Sequence, residues 1–301
     1  MAESYKIIVE QDYCTVVAKY ESSRKNGNAY QSEQDLERWL IEQLQRQGYE
    51  YPSIHNEKEL LENLRIQLGK ANDTEYSDKE WTSLLNILTS ETLTMEDKAG
   101  MIQKDNTAVE IKRHNGINTN VHLIHKDNVF KNNLQVINQY VPAGGTHANR
   151  YDVTILVNGL PLVHIELKRR GVSIREAFNQ INRYARESFW AGKGMFDYIQ
   201  LFIISNGTET KYYSNTTRYA REQEAVKLKG KKKKIQSNSF EFTSYWSDRE
   251  NNLICDLEDF AKTFLVKRTL LEILTKYCVF NVDKELLVMR PYQIAATESI
   301  T

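Results

Sequence analysis

The sequence is poor in cysteine and has neither a net charge nor a long apolar run. Its three cysteines, Cys14, Cys255 and Cys278, are an odd and scattered set that fits neither a disulfide framework nor a zinc site. Reduced thiols in the cytoplasm are the plain interpretation. No secretory segment opens the chain, and no apolar run approaches the length of a membrane span. We therefore expect a soluble, cytoplasmic protein.

The charges also exclude a strongly basic or acidic protein, because 40 Lys and Arg residues balance 40 Asp and Glu residues. A nucleic-acid-binding protein of zero net charge must gather its basic side chains locally. The one run of a single sign covers residues 227–234. It is typical of a loop that self-repulsion keeps open, and contact with phosphates is compatible with that. It contains no aromatic residue, so it predicts no reading of bases.

The apolar periodicity predicts an α/β fold in which helices lie on both sides of a mixed central sheet, with no internal repeat. The run 199–204 suits a strand covered on both faces. We predict helices over residues 32–47, 57–68, 78–88, 252–264 and 269–277, with a further one starting at 173. We predict strands over residues 6–9, 15–18, 108–111, 133–140, 152–157, 161–168, 198–205, 210–213 and 240–246.

Two acids and a lysine lie in the neighbouring strands 152–157 and 161–168. Because successive strand side chains point to opposite faces, Glu166 and Lys168 share one face. A three-residue loop over residues 158–160 places Asp152 directly opposite Glu166. A strict two-residue loop would oppose Asp152 to Ile165 and mix the two faces, so the apolar pattern disfavours it.

Like charges opposed across a sheet destabilise it, and two carboxylates about 5 Å apart at Cβ favour a cation between them. Oxygen ligands of this kind favour Mg²⁺. The alternative is a solvent-facing strand that carries an ordinary ion pair. The register of Asp152 and the apolar neighbours of Glu166 favour the metal site. His164 shares the face of Glu166, where lining a pocket is favoured over contact with DNA.

The helix after these strands carries further polar groups. Ser173 and Glu176 have the spacing of a capping box. Gln180 and Tyr184 lie one turn apart and can reach a common point. The spacing Gln-x-x-x-Tyr is unspecific alone and much more specific directly after Glu-x-Lys.

Together, Asp152, Glu166-Leu167-Lys168 and Gln180-x-x-x-Tyr184 resemble the PD-(D/E)xK nuclease core of type I restriction enzyme R subunits, the type IC subunits in particular. The resemblance extends over nearly the whole chain, through residues 32–37, 147–152, 200–206 and 290–293. One departure is Tyr151, which stands where the family's nickname has proline.

This resemblance implies a Mg²⁺-dependent endonuclease acting on double-stranded DNA. Asp152, Glu166 and the Leu167 carbonyl would hold the metal. Lys168 would orient or help to deprotonate the attacking water and, in contact with the DNA, would offset charge on the phosphate. Gln180 and Tyr184 would position the DNA backbone or support the site from the helix. Glu37 on the first helix could add a metal-bound water, or it could be an ordinary acid on a helix surface.

The resemblance also implies cleavage in a bacterial complex with modification (methyltransferase) and specificity subunits, after ATP-driven translocation. The pattern Arg290-Pro-Tyr-Gln293 resembles the start of the motor, where Gln293 would contact adenine, and it also fits an ordinary helix start. No G-x-x-x-x-G-K-[ST] loop occurs. We therefore expect ATP use only in a longer protein. The predicted endonuclease domain covers 1–260, with its core at about 30–215, and residues 261–301 form a helical connector and the start of the motor.

Two other functions stay open at this point. The chain could be a stand-alone PD-(D/E)xK repair or structure-specific nuclease, which would cleave DNA without ATP. It could also be a non-catalytic DNA-binding or assembly module, which would bind no Mg²⁺ at Asp152.

Overall fold

A computed structural model describes residues 14–21, 31–104, 108–143, 149–189, 193–215, 239–282 and 285–300. These residues form a mixed five-stranded sheet with helices packed around it, which confirms the predicted α/β class. The predicted strand over residues 6–9 and the basic run 227–234 lie outside them. Within the described part of the chain, no helix has the length and apolar character needed to cross a membrane.

The first half of the described chain begins with four helices, and each of them starts at a polar N-cap residue. The predicted helices over 32–47, 57–68 and 78–88 are present as α1 to α3. Ser32 and Asp35 form a capping box at the start of α1, as the sequence predicts. Helix α4 was not predicted, because it is short and its apolar residues follow no clear period. The bounds are α1 (Glu33–Arg46), α2 (Glu57–Ala71), α3 (Asp78–Leu88) and α4 (Met95–Gln103).

A hairpin and the central sheet follow. The sheet has the order β3-β4-β5-β6-β7, and only the β5–β6 pair is parallel. Helix α5 (Ile174–Glu187) lies in the crossover that this parallel pair requires. Every residue of β5 and β6 is buried, so the predicted covered strand is confirmed. The strands are β1 (Ala108–Lys112), β2 (Asn118–His122), β3 (Leu134–Tyr140), β4 (Tyr151–Val157), β5 (Leu160–Leu167), β6 (Leu201–Ser205) and β7 (Thr210–Ser214).

The turn between β4 and β5 differs from the predicted three-residue loop, which is wrong. Val157 pairs with Leu160 across a two-residue turn, whose Asn158 and Gly159 both have positive φ, +50° and +84°. A register shift beyond Leu156 ↔ Pro161 then adds one residue to β5.

This bulge restores the predicted register, in which Ile155 pairs with Val163 and Val153 with Ile165. Pro161 stands beside the bulge. Proline has no backbone N–H to donate, and a bulge tolerates that missing donor. The two faces therefore stay separate although the turn is tight.

The last part of the described chain folds against the sheet as short pieces. The predicted helix over 269–277 is present. These elements are β8 (Trp246–Ser247), β9 (Leu253–Ile254), α6 (Leu257–Thr263), α7 (Lys267–Lys276), β10 (Cys278–Phe280), β11 (Leu286–Val288) and α8 (Pro291–Ile300).

Three sequence predictions fail because side chains redirect the backbone. The strand predicted over 240–246 is interrupted, since Thr243 donates both its N–H and its hydroxyl to the Phe240 carbonyl and closes a turn. The helix predicted over 252–264 begins only after Asp256, whose carboxylate caps it. Residues 15–18 form no strand, because the N–H and hydroxyl of Thr15 bind carboxylates instead of a neighbouring strand.

The predicted domain boundary after residue 260 stays a prediction. Helix α8 lies beyond it and nevertheless contacts the preceding part of the chain. Glu298 accepts hydrogen bonds from the Thr15 N–H (2.7 Å), Arg249 Nη2 (3.1 Å) and the Tyr277 hydroxyl (3.1 Å).

The tight turn gives a test of the fold. A Cβ at Gly159 would lie 2.8 Å from Leu64 Cα, whereas a Cβ at Gly116, with a similar φ of +83°, meets nothing within 4 Å. We expect Gly116→Ala to lower the free energy of unfolding by about 1–2 kcal/mol through φ strain alone. Gly159→Ala should cost about 1–3 kcal/mol more, because helix α2 must move away. Urea unfolding measures both, and equal losses would contradict the close approach of α2 to the turn.

Candidate active site

The two strands bring the predicted acids together at one end of the sheet. Asp152 is the second residue of β4 and Glu166 the penultimate residue of β5. Asp152 Oδ2 accepts a hydrogen bond of 2.9 Å from the Leu167 N–H, and the carboxyl groups of Asp152 and Glu166 lie close enough for each to shift the pKa of the other. The predicted face is therefore the one on which the two acids meet.

Burial distinguishes this arrangement from a surface ion pair. Glu166 is 0% exposed and Lys168 is 7% exposed, while Asp152 is partly exposed. A solvent-facing strand would leave Glu166 in water, so that alternative does not describe this site. Buried charges of this kind are retained when they are paired or bind a metal.

Lys168 lies beside three oxygen acceptors. Its Nζ is 3.3 Å from Glu166 Oε1 and 2.9 Å from the Leu167 carbonyl oxygen. It is also 3.7 Å from Glu33 Oε2, on a half-exposed side chain at the first residue of α1. Glu33 was missed in the sequence, where only its place one helical turn before Glu37 could have indicated it.

Glu37 contacts different partners from those expected. Its buried carboxylate accepts hydrogen bonds from the side-chain amides of Asn138 and Gln139. Gln139 has a left-handed backbone with φ of +53° at the end of β3. Burial raises the pKa of Glu37. Of the two acids on this face of α1, Glu33 faces the ammonium group and Glu37 is occupied by amides.

Desolvation and mutual repulsion shift the ionisation of the acid pair. Burial, and then the charge of Glu166, raises the pKa of Asp152 well above its usual value. Burial raises the pKa of Glu166 to about 8, although the Lys168 ammonium opposes the shift. These shifts favour retention of a proton by the pair at neutral pH, because one ammonium does not balance the two carboxylates.

The donor set fits a hard divalent cation. Among the residues that the structure describes, no group of three or more His, Cys, Asp or Glu side chains gathers as a metal site. The available ligands are the Asp152 and Glu166 carboxylates and the Leu167 carbonyl, whose second lone pair remains beside its bond to Lys168. These are oxygen donors, and Mg²⁺ typically binds one or two carboxylates and keeps water for its other ligands.

Helix α5 supports this corner of the sheet. The Ser173 hydroxyl caps it by accepting from the Arg175 N–H, one residue earlier than in the predicted capping box. Gln180 Nε2 donates to the Tyr184 hydroxyl (2.5 Å), which donates to the Arg150 carbonyl (2.9 Å). The pair therefore meets at the Tyr184 hydroxyl, which holds the backbone two residues before Asp152.

Two further side chains that the sequence analysis named, His164 and Gln293, have different surroundings. His164 is 0% exposed, so it lines the interior of the site and does not reach DNA. Burial lowers its pKa to about 4, and the ring is neutral at physiological pH. The amide oxygen of Gln293 accepts from the Arg290 N–H (2.9 Å) at the start of α8. The ordinary helix start is thus present, and contact with adenine stays a prediction.

Comparisons with known proteins agree with the motifs. Residues 30–221 match the family model described as type I restriction enzyme R protein N terminus. Over 306 aligned positions the chain is 46% identical to the type I restriction enzyme EcoprrI endonuclease subunit of Escherichia coli, covering all of this chain and 91% of that protein. Over 283 positions it is 38% identical to the SauMSSORF170P endonuclease subunit of Staphylococcus aureus strain MSSA476.

That alignment covers 90% of this chain and 27% of the staphylococcal protein, so the chain spans about a quarter of this relative. A more distant relative is the putative MjaVIIIP endonuclease subunit of Methanocaldococcus jannaschii, 29% identical over 199 positions, which cover 62% of this chain and 18% of that protein. The matched segment 30–221 contains Asp152, Glu166, Lys168, Gln180 and Tyr184. The chain belongs to the family of type I restriction enzyme R protein N termini.

Proposed function

We propose that this chain is the DNA-cleaving unit of a type I restriction enzyme and hydrolyses phosphodiester bonds of duplex DNA with Mg²⁺. The observation that carries the proposal is the placement of Asp152, bonded to the Leu167 N–H, beside the buried Glu166, whose carboxylate is paired with the Lys168 ammonium. Such a pair requires either a proton or a further cation. A divalent cation satisfies both carboxylates at once.

In this proposal Asp152, Glu166 and the Leu167 carbonyl hold the ion. The bound ion would polarise the phosphate and lower the pKa of a water molecule. Lys168 lies at the rim of the same oxygen cluster, and its ammonium would offset charge that develops on the phosphate. Glu33, 3.7 Å from that ammonium, would hold it at the rim.

Gln180 and Tyr184 would support the site by holding the backbone next to β4. Tyr184 is buried, and its hydroxyl is already engaged by Gln180 and the Arg150 carbonyl. This favours support of β4 over direct contact with DNA. The partly exposed Gln180 remains within reach of a phosphate.

The activity of the whole protein is proposed from the family. Its relatives carry the name endonuclease subunit of type I restriction enzymes. We propose that cleavage follows ATP-driven translocation in a cytoplasmic complex with methyltransferase and specificity subunits. ATP would bind the longer protein only, with Gln293 near adenine.

The first prediction concerns the two acids. Asp152→Asn or Glu166→Gln should reduce cleavage by the assembled complex at least about 10³-fold, because a metal ion contributes several kcal/mol to such reactions. Glu166→Gln should also raise the free energy of unfolding of the Mg²⁺-free chain at pH 9 by about 1–3 kcal/mol, because it removes a destabilised buried charge. Plasmid cleavage and urea unfolding measure the two effects.

The matched control is Glu37→Gln, which removes another buried carboxylate whose contacts are amides. It should leave Mg²⁺ affinity unchanged. Cleavage that persists in Glu166→Gln would overturn the proposed site. Cleavage by the wild-type chain without ATP or partners would favour a stand-alone nuclease, and absence of Mg²⁺ binding would favour a non-catalytic module.

The second prediction concerns pH. Because the pKa of Glu166 is raised to about 8, the metal-free pair carries a proton at pH 7 that a bound cation must displace. Mg²⁺ affinity should fall as pH falls below about 8, with release of roughly one proton per ion at pH 7. Calorimetry in buffers of different ionisation enthalpy measures this release. An affinity that is constant between pH 6 and 8 would contradict it.

The third prediction concerns Tyr184→Phe, which keeps the packed ring and removes the hydroxyl. The Arg150 carbonyl and Gln180 amide then lose a partner, so cleavage should fall about 10-fold through misplacement of Asp152. Gln180→Ala, which leaves the bond from Tyr184 to Arg150 intact, should affect cleavage less unless the amide binds DNA. Kinetics under single-turnover conditions compare the two, and a fully active Tyr184→Phe would contradict the supporting role.

A further inference from the structure

His164 is a buried polar ring that the proposed chemistry does not use. Four aromatic rings surround it edge-on, with centroids 5.5 to 6.2 Å from its own, and they belong to Tyr151, Tyr184, Phe189 and Phe202. No part of the ring reaches solvent. An aliphatic side chain would fill such an apolar enclosure without desolvating two ring nitrogens. A histidine is therefore favoured at this position only through the polar contacts of its two ring nitrogens.

Each ring nitrogen has a partner on the face that carries the acids. His164 Nδ1 lies 3.3 Å from the Thr154 hydroxyl, and Nε2 lies 3.3 Å from Glu166 Oε2. The other oxygen of that carboxylate, Oε1, faces Lys168 Nζ at 3.3 Å. The two oxygens of Glu166 thus have different partners, one a fixed ring inside the fold and the other an ammonium at the rim.

We propose that His164 is a positioning residue that donates its Nε2–H to Glu166 and fixes the carboxylate in the orientation that receives a divalent cation. This inference rests on the proposed function, since it assigns Glu166 as a metal ligand. It adds that the chain Thr154–His164–Glu166 holds this ligand from the interior.

The direction of the hydrogen bonds follows from the donors available. An ionised carboxylate only accepts, so Nε2 must carry the proton when Glu166 holds a cation. A neutral imidazole has one N–H, so Nδ1 then accepts from the Thr154 hydroxyl. The Val153 carbonyl also lies near the ring. A proton on Nδ1 in place of Nε2 would turn a lone pair of Nε2 toward the carboxylate, which repels it.

Groups that orient a metal ligand from outside typically change metal affinity or activity by 10- to 100-fold when they are removed. Here the orienting group is fully buried among four aromatic rings, which restrict the positions that His164 can take. A carboxylate held in this way loses little rotational freedom when the cation binds.

Two amide substitutions separate orientation from mere burial. In glutamine, as in the Nε2 branch of histidine, four bonds join Cα to the terminal nitrogen, whereas in asparagine only three do, as for Nδ1. His164→Gln can therefore place an N–H near Glu166, and His164→Asn cannot. Calorimetric titration of the 301-residue chain with Mg²⁺ should show a loss of about 10- to 100-fold for His164→Asn and a largely restored affinity for His164→Gln.

Four results would overturn the inference. Wild-type affinity in His164→Asn, or equal losses in the two variants that track their loss of thermal stability, would leave His164 a packing residue while the proposed metal site stands. No Mg²⁺ binding by the wild type, or binding unaffected by Asp152→Asn, would sink the proposed function and this inference together.

A spectroscopic measurement on the wild type gives a second test, for which His164→Gln is needed only to assign the signal. The ¹⁵N shifts of the His164 ring in Mg²⁺-saturated protein report which nitrogen carries the proton. We expect the neutral tautomer that is protonated at Nε2. The signal that is absent from the spectrum of His164→Gln is assigned to His164. A proton on Nδ1 in the Mg²⁺-bound state would overturn the inference directly.

Discussion

The partly exposed Asp152 and the buried Glu166 lie side by side at one corner of the sheet, where the Leu167 N–H and the ammonium of Lys168 offset part of their negative charge. Such an arrangement costs stability, so the surrounding structure must enforce it. The tight turn after β4, the bulge beside Pro161 and the pairing of β4 with β5 bring the acids together. Strain of this kind is expected where a fold is built to bind a cation rather than to be as stable as possible.

Helix α5 supports β4 at the start of that strand, and a residue in the interior of the sheet supports Glu166 in β5. Tyr184 is bonded to the backbone just before Asp152, and His164 to the side chain of Glu166. Each acid thus has its own support, and both supports are buried. The exposed side of the cluster is left to Lys168 and Glu33, where a phosphate could approach.

Local pattern was sufficient to predict much of this site. Strand period alone assigned Glu166 and Lys168 to one face, and caps such as Ser32 marked helix starts. The predicted register survived a wrong loop, because burial of the apolar face fixes which residues pair and the chain corrected a short turn with a bulge. The family was indicated by the resemblance of the site motifs, and of segments along nearly the whole chain, to type I restriction enzyme R subunits.

Other features depend on contacts between distant segments and could not be read from spacing. Glu33 and Glu37 share one face of α1, and only the docking of that helix decides which of them meets Lys168. The role of His164 depends on Thr154 in the neighbouring strand and on the rings around it.

The central claim is that the paired acids bind a divalent cation, and diffraction from crystals soaked in Mn²⁺, recorded at an energy where manganese scatters anomalously, tests it most directly. The account predicts an anomalous peak bounded by Asp152, Glu166 and the Leu167 carbonyl. No peak there at saturating Mn²⁺, with both carboxyls still in mutual contact, would contradict it.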